Sequence, residues 1–201
     1  MKPDENKSAP GVGVASIPRR HAMPVVFLHW LIALAALVQV SLGWWMQSLP
    51  KAPPGLRAGW FNVHKSIGIT IGLVMVIRLI VRLRASAPAY PVHMPSWQQQ
   101  AARLSHGLLY GCLFVLPLSG YLGSSFTKYP IRFYGFALPH WGWDAPALKE
   151  LCSMVHLGCV WLLMALVTLH VAAAVKHLLV DRDGVFERIW PFAAGSSGEA
   201  R

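Results

Sequence analysis

The chain has 201 residues, of which 55% are hydrophobic and only 13% charged, and its mean hydropathy is +0.45. This composition is too apolar for an ordinary soluble domain and predicts a protein embedded in membrane lipid, folded as one compact bundle. The formal net charge is +10, but the basic residues flank apolar segments instead of forming one stripe, so we expect no nucleic-acid partner.

The chain opens with a polar stretch, residues 1–22, that is rich in Pro, Gly, Lys and Arg. It is predicted to be a flexible cytoplasmic tail, because it has too little apolar surface to form a core. The first apolar segment, residues 25–46, contains no charged side chain. About 20 such residues suffice for a helix to cross a hydrocarbon core of about 30 Å. A loop is predicted for residues 48–62, which contain Pro50, Pro53, Pro54, Gly55 and Gly59.

Two further apolar segments follow, residues 63–84 and 104–123. The first of them ends in three long basic side chains that can reach the interface, Arg78, Arg82 and Arg84. A loop is predicted between the segments, over residues 85–102, which contain Pro88, Pro91 and Pro95. Pro117 lies inside the third segment and is predicted to kink its helix, because proline removes a backbone hydrogen bond.

The longest connection, residues 124–150, is rich in aromatic side chains, as expected of a loop that lies along a membrane interface. These residues are Phe126, Tyr129, Phe133, Tyr134, Phe136, Trp141 and Trp143. The fourth apolar segment ends near residue 180, and residues 181–201 are predicted to form a cytoplasmic tail. The chain is therefore predicted to be all-α, with a four-transmembrane-helix bundle over residues 23–180.

The distribution of basic residues predicts the orientation of this bundle. Twelve lie in or beside the two tails and the second connection: Lys2, Lys7, Arg19, Arg20, Arg78, Arg82, Arg84, Arg103, Lys176, Arg182, Arg188 and Arg201. Six lie in or beside the first and third connections: Lys51, Arg57, Lys65, Lys128, Arg132 and Lys149. Because the cytoplasmic side carries the excess of Lys and Arg, both termini are predicted to be cytoplasmic.

Two histidines, His156 and His170, lie fourteen residues apart in the fourth segment. In a helix this interval brings the two imidazoles to within about 40° of the same direction and about 21 Å apart along the axis. Ionisable side chains in a membrane span usually face the bundle interior and serve a function there. The spacing therefore indicates two cofactors at two depths, although hydrogen bonds from each histidine to a neighbouring helix are the structural alternative.

The predicted orientation determines which histidines can meet. His64 opens the second segment and His156 lies near the start of the fourth, so both are expected near the outer face. His29 lies one turn into the first segment and His170 well along the fourth, so both are expected nearer the cytoplasm. Two histidines at each level suit a six-coordinate haem iron better than a tetrahedral zinc. Because no C-x-x-C-H motif is present, haem would be bound non-covalently.

Three residues near these pairs have two interpretations each. Gly68 and Gly72 follow His64 on the same helix face, where they either leave room for a flat macrocycle or form a G-x-x-x-G helix contact. Arg78 is either an anchor that reaches the interface or a partner for a haem propionate or a quinone oxygen.

The remaining candidate residues are weaker. His177 shares a face with His170 and could replace it as a ligand, but it lies close to Lys176 at the interface. His106 is expected to pack or to form hydrogen bonds. His21, His93 and His140 are expected to be solvated. No catalytic acid, base or nucleophile is predicted, because almost every carboxylate lies in a tail or loop. The chemistry would therefore come from bound cofactors.

A combination of motifs covers all four segments. These are His29-Trp30, His64 with Gly68, Arg78 and Arg82, His106 with Pro117 and Gly120, His156-Leu-Gly158, and Leu169-His170-Val-Ala-Ala. In this combination the chain resembles the bacterial cytochrome b561 family over about residues 20–192. The resemblance implies a bacterial inner-membrane protein with two haem b groups, held by His29, His64, His156 and His170. It also implies electron exchange with the quinone pool, with ubiquinone as acceptor, and in some members oxidation of superoxide.

Three functional hypotheses follow from these observations. The favoured one is a di-haem oxidoreductase that passes electrons from an outer-face donor, with superoxide as a candidate, to quinone. The second is a haem-bearing membrane anchor that relays electrons for a separate dehydrogenase or hydrogenase subunit, and it predicts co-purification with a redox partner protein. The third is a haem-free channel or metal transporter, which a preparation with a Soret absorption band would exclude.

Overall fold

The computed structural model describes residues 20–50, 55–86 and 88–192. Four long helices dominate it: α1 (Met23–Ser48), α2 (Leu56–Arg84), α3 (Ser96–Ser125) and α4 (Pro146–Lys176). A π-helical turn (His177–Asp181) continues α4, and a 3-10 turn (Phe186–Arg188) follows. All four helices are long and apolar enough to cross a membrane. The mostly helical class and the presence of four helices that could span a membrane are therefore confirmed. The orientation of the termini and the flexibility of the N-terminal tail stay predictions, and residues 1–19 and 193–201 of the two predicted tails lie outside the described residues.

Two of the predicted boundaries are wrong. Helix α2 begins at Leu56 and α3 at Ser96, each inside a stretch predicted to be loop. Gly55, with φ +111°, and Pro95 stand directly before these helices. Gly55 and Pro95 therefore mark where the loops end and the helices begin, and the loops are shorter than predicted. Hydropathy identifies the part of a helix that lies in hydrocarbon, and both helices continue past that part.

The helices alternate in direction, so the bundle has two ends. We call the end with residues 20 and 192 the tail end, and the opposite end the hairpin end. Close contacts join α1 to α2, α2 to α3 and α3 to α4, whereas α4 approaches α1 and α2 less closely. Many large apolar side chains are exposed, including Leu37, Leu83 and Val180, as expected where lipid rather than water surrounds the bundle. Space for a bound group therefore remains between α4 and the helices α1 and α2.

Gly72 allows the close approach of α2 to α3. A Cβ atom at this position would lie 3.1 Å from Cγ of Pro117, so a larger residue would push the helices apart. This geometry supports the helix-contact interpretation of Gly72. Gly68 lies against α1 instead, where a Cβ would be 3.1 Å from Nε2 of Gln39, and it also lines a cavity between the helices. Helix α3 runs through Pro117 without a break.

A short β-hairpin covers the hairpin end, where sequence analysis predicted only a loop. Its strands are β1 (Ile131–Phe133) and β2 (Phe136–Leu138). Ser66 of α2 holds it, because the Ser66 hydroxyl lies 3.3 Å from the Arg132 carbonyl and accepts a 2.9 Å hydrogen bond from the Tyr134 amide. Ile131 is fully buried. The hairpin is therefore a fixed cover over the bundle.

At the tail end, the segment after α4 folds back over α1. The indole of Trp30 donates a 2.8 Å hydrogen bond to the carbonyl of Ile189, and its ring meets that of Trp190 edge to face. The Arg188 guanidinium donates to the Ala89 carbonyl, and the His21 amide donates to the Arg188 carbonyl. These contacts connect the segment to the start of α1 and to the connection between α2 and α3.

Candidate cofactor sites

At the hairpin end, His64 of α2 and His156 of α4 face each other with their ring centroids 6.3 Å apart. Two imidazoles bound to opposite sides of one metal ion, at the usual bond length of roughly 2 Å, have centroids about 6 Å apart. Both side chains are partly buried. The pair has the spacing of two axial ligands.

The hydrogen bonds of His156 leave its second nitrogen free. Its Nδ1 lies 3.0 Å from the carbonyl oxygen of Leu116 and 3.1 Å from the hydroxyl of Ser119. A carbonyl can only accept, so Nδ1 carries the proton and Nε2 keeps its lone pair for a metal. On the opposite side, Nδ1 of His64 is buried and has no hydrogen-bond partner in the described part of the chain.

A largely apolar cavity adjoins these two imidazoles. All four helices and the hairpin contribute to it, through residues that include Val40, Gly68, Leu116, Ile131 and Val160. Small residues keep it open, because a Cβ on Gly43 would lie 3.2 Å from Cε1 of His64 and one on Gly120 would lie 3.5 Å from Cε1 of His156. Lys65 is the one charged side chain among the described residues that line it. The cavity suits a flat, mostly apolar group with a polar edge.

At the tail end, His29 of α1 and His170 of α4 form the second pair, with ring centroids 6.2 Å apart. The agreement with the first pair is close, and α4 supplies one member of each. His106 of α3 meets His170 edge to face with ring centroids 5.2 Å apart, closer than two imidazoles on opposite sides of one metal ion would be, and its Nδ1 lies 2.6 Å from the Ala102 carbonyl. His106 therefore packs against the pair, as the sequence suggested.

Arg78 points into the bundle at the tail end. Its guanidinium donates a 2.9 Å hydrogen bond to the Val25 carbonyl and lies 3.3 Å from Nδ1 of His29. It also lies 5.8 Å from the ring centroid of Tyr110. Contacts with α1 and α3 therefore hold the charge of Arg78 beside His29.

The structure brings together both histidine pairs that depth and orientation predict, although their role as haem ligands stays a prediction. His177 lies 2.7 Å from a carboxylate oxygen of Asp183 and 3.3 Å from one of Asp181. This ion-pair cluster gives His177 a local role and removes the reason to exchange it for His170.

One histidine outside the helices was wrongly predicted to be solvated. His21 is partly buried, and its Nδ1 lies 3.4 Å from the Arg82 guanidinium. Burial, together with the nearby charges of Arg82 and Arg188, lowers the pKa of His21 to about 4. The imidazole is therefore neutral at pH 7. His93 and His140 are exposed, as predicted. Sequence patterns do not distinguish His21 from His93 and His140, because Arg82 and Arg188 come from distant positions in the chain.

Comparison with known proteins identifies relatives that span nearly the whole chain. A family model described as prokaryotic cytochrome b561 matches residues 20–192. Cytochrome b561 homolog 2 of Escherichia coli (strain K12) is 32% identical over 178 residues, which are 86% of this chain and 92% of that protein. Cytochrome b561 homolog 1 of the same organism is 26% identical over 86% of this chain and 97% of its own length. A probable superoxide oxidase CybB of Yersinia pestis is 24% identical over 88% of this chain and 99% of its own length.

Proposed function

The chain belongs to the prokaryotic cytochrome b561 family, and on that premise we propose that it is a di-haem protein that passes electrons from a donor at the hairpin end to quinone. Members of this family are membrane electron-transfer proteins that typically bind haem b. The observation that carries the proposal is the pair of centroid distances, 6.3 Å for His64 and His156 and 6.2 Å for His29 and His170. Both match the spacing that two axial imidazole ligands require.

The four histidines are the residues that would hold the two groups. Haem b bound at such sites supplies one-electron oxidation and reduction at iron. The protein sets the geometry, because His156 and His170 lie fourteen residues apart on one helix and hence about 21 Å apart along it. The Leu116 carbonyl orients His156, and the surrounding apolar side chains exclude water.

Superoxide is the proposed donor and ubiquinone the proposed acceptor. Two superoxide anions would each lose one electron and leave as dioxygen. One quinone would gain both electrons, take up two protons from solvent and leave as quinol. Support for an anionic donor comes from Lys128 and Arg132, which are exposed at the hairpin end, and from Lys65 in the cavity wall. A positive potential there would speed the encounter with an anion. The similarity to a probable superoxide oxidase also supports superoxide as the donor.

The salt dependence of reduction tests the donor. We expect haem absorbance to change to the reduced form within a superoxide pulse at low ionic strength, and ubiquinone to reoxidise it. Raising the salt concentration, or changing Arg132→Gln and Lys128→Gln together, is expected to slow the reduction severalfold, because the attraction is screened or removed.

The matched control is Arg84→Gln, which removes one positive charge from the other end of the bundle. It is expected to leave the rate of reduction unchanged. If the rate of haem reduction depended neither on salt nor on the hairpin-end charges, an anionic donor would be contradicted. If superoxide reduces nothing and a soluble redox protein co-purifies, the chain is a relay subunit for a separate dehydrogenase or hydrogenase.

The proposed direction of electron flow also requires a defined topology, with the tail end in the cytoplasm of a bacterium and the hairpin end outside the inner membrane. Twelve basic residues against six favour that orientation. Alkaline phosphatase fused after residue 201 is therefore expected to be inactive in the bacterial cell, and the same enzyme inserted after His140 to be active. The reverse pattern would contradict the orientation.

A further inference from the structure

Arg78 places a positive charge beside the histidine pair at the tail end and not beside the pair at the hairpin end. It belongs to α2, yet its guanidinium hydrogen-bonds to the Val25 carbonyl of α1 and lies 3.3 Å from Nδ1 of His29. The ring of Tyr110 in α3 is on another side, with its centroid 5.8 Å away. Three helices therefore fix the position of this charge, and a fixed charge can act on the properties of a bound group.

No carboxylate among the described residues forms an ion pair with Arg78. In the part of the chain that the structure describes, the ion pairs are Lys149 with Glu150, Lys176 with Asp181, and His177 with Asp181 and Asp183. None of them includes Arg78. Its neighbour Arg82 has the same sign and lies 3.4 Å from Nδ1 of His21. The tail-end pair is therefore in a positive environment.

At the hairpin-end pair, a hydrogen-bond acceptor rather than a positive charge lies beside Nδ1 of the imidazole. Nδ1 of His156 donates to the carbonyl oxygen of Leu116 at 3.0 Å. An acceptor at this position raises the basicity of an imidazole, and a more basic ligand stabilises the oxidised metal. Lys65 lines the same cavity, but no hydrogen bond joins it to either imidazole among the described residues. The Arg78 guanidinium, in contrast, lies 3.3 Å from Nδ1 of His29, and because Coulomb interactions weaken with distance, the stronger positive field is expected at the tail-end pair.

We propose that Arg78 is a positioning residue that gives the site of His29 and His170 a higher reduction potential than the site of His64 and His156. The oxidised iron carries one more positive charge than the reduced iron, so a cation beside a ligand disfavours oxidation. Electrons that arrive at the hairpin end would consequently accumulate at the tail end. This inference rests on the proposed function, since it requires two bound haems.

A redox titration of the purified holoprotein, followed by haem absorbance, tests the inference. Two one-electron transitions are expected in the wild type. Arg78→Gln keeps an amide donor for Val25 and removes the charge, so it is expected to lower only the higher-potential transition. The expected change is about tenfold in the equilibrium between the sites, which corresponds to about 59 mV for one electron. Arg78→Lys is expected to retain most of the wild-type potential.

Two further variants complete the design. Arg84→Gln removes a charge from the exposed end of the same helix and is expected to shift neither transition. His156→Ala is expected to leave only the tail-end haem, and its single transition should match the higher one of the wild type. That variant assigns the transitions independently of Arg78.

Two results would overturn the inference. One is a His156→Ala transition that matches the lower wild-type potential, and this result decides the question even if Arg78→Gln fails to retain its haem. The other is an Arg78→Gln transition that moves no more than that of Arg84→Gln. Haem per chain is measured first, by pyridine haemochrome. A wild-type value below two refutes the proposed di-haem function, whereas a value of two with unchanged potentials refutes only the role of Arg78.

Discussion

Replacing either His29 or His170 with alanine is expected to remove one and the same haem, so that haem per chain falls from two to one. His64→Ala and His156→Ala are expected to remove the other haem. The physical reason is that each pair has the separation of two axial ligands, 6.2 Å and 6.3 Å between ring centroids, and a bis-histidine site that loses one ligand binds its haem far more weakly. Pyridine haemochrome analysis gives the number, and the reduced spectrum shows which haem remains.

His106→Ala is the matched control for the tail-end pair. His106 is exposed, and its ring centroid lies 5.2 Å from that of His170, which is closer than two imidazoles on opposite sides of one metal ion would be, so both haems are expected to remain. The pairing would be refuted if His29→Ala and His156→Ala removed the same haem. Loss of haem in the His106 variant but not in the His29 variant would instead assign the ligand to α3.

Gly43→Leu is expected to abolish haem binding at the hairpin end while the tail-end haem remains. A Cβ at residue 43 would already lie 3.2 Å from Cε1 of His64, and the rest of a leucine side chain would extend into the cavity. The imidazole would have to move, and the space beside it would be filled. Haem per chain is expected to fall to about half, with the potential of the remaining haem unchanged, as in His156→Ala.

Gly158→Leu provides the control for added bulk on a membrane helix. Gly158 is exposed, and no atom lies within 4 Å of a Cβ built on it, although it is only two residues from His156. Both haems are expected to remain in this variant. If Gly43→Leu retained both haems as well, the cavity between His64 and His156 would not be the binding site.

Sequence patterns predicted the helices from the length of each apolar segment, and the histidine contacts from the depth of each histidine in its segment. Apolar length defines a membrane span, and fourteen helical residues place His156 and His170 on one face. The starts of α2 and α3 were missed because hydropathy does not detect the part of a helix that extends beyond the hydrocarbon core. The hairpin was missed because Ser66, which holds it, is far from Tyr134 in sequence and resembles any other helical serine.

The sequence could not separate the two interpretations of Arg78, since the direction of its side chain depends on a carbonyl in α1 and a ring in α3. It also could not separate the roles of Gly68 and Gly72. Those depend on Pro117, which lies against only one of them. In each case the missing information is the contact between helices that are distant in sequence, which periodicity does not contain.

The position of α4 implies that binding at one histidine pair would affect binding at the other. This helix lies close to α3 but approaches α1 and α2 less closely, while His156 and His170 face partners on those two helices. A group bound at either site would connect α4 to the other side of the bundle and restrict its motion. The second group would then bind to a helix that has already lost that freedom, with a smaller loss of conformational entropy. Binding at the two sites is thus expected to be positively cooperative, and by linkage a group bound at either site would increase the affinity of the other site by the same factor.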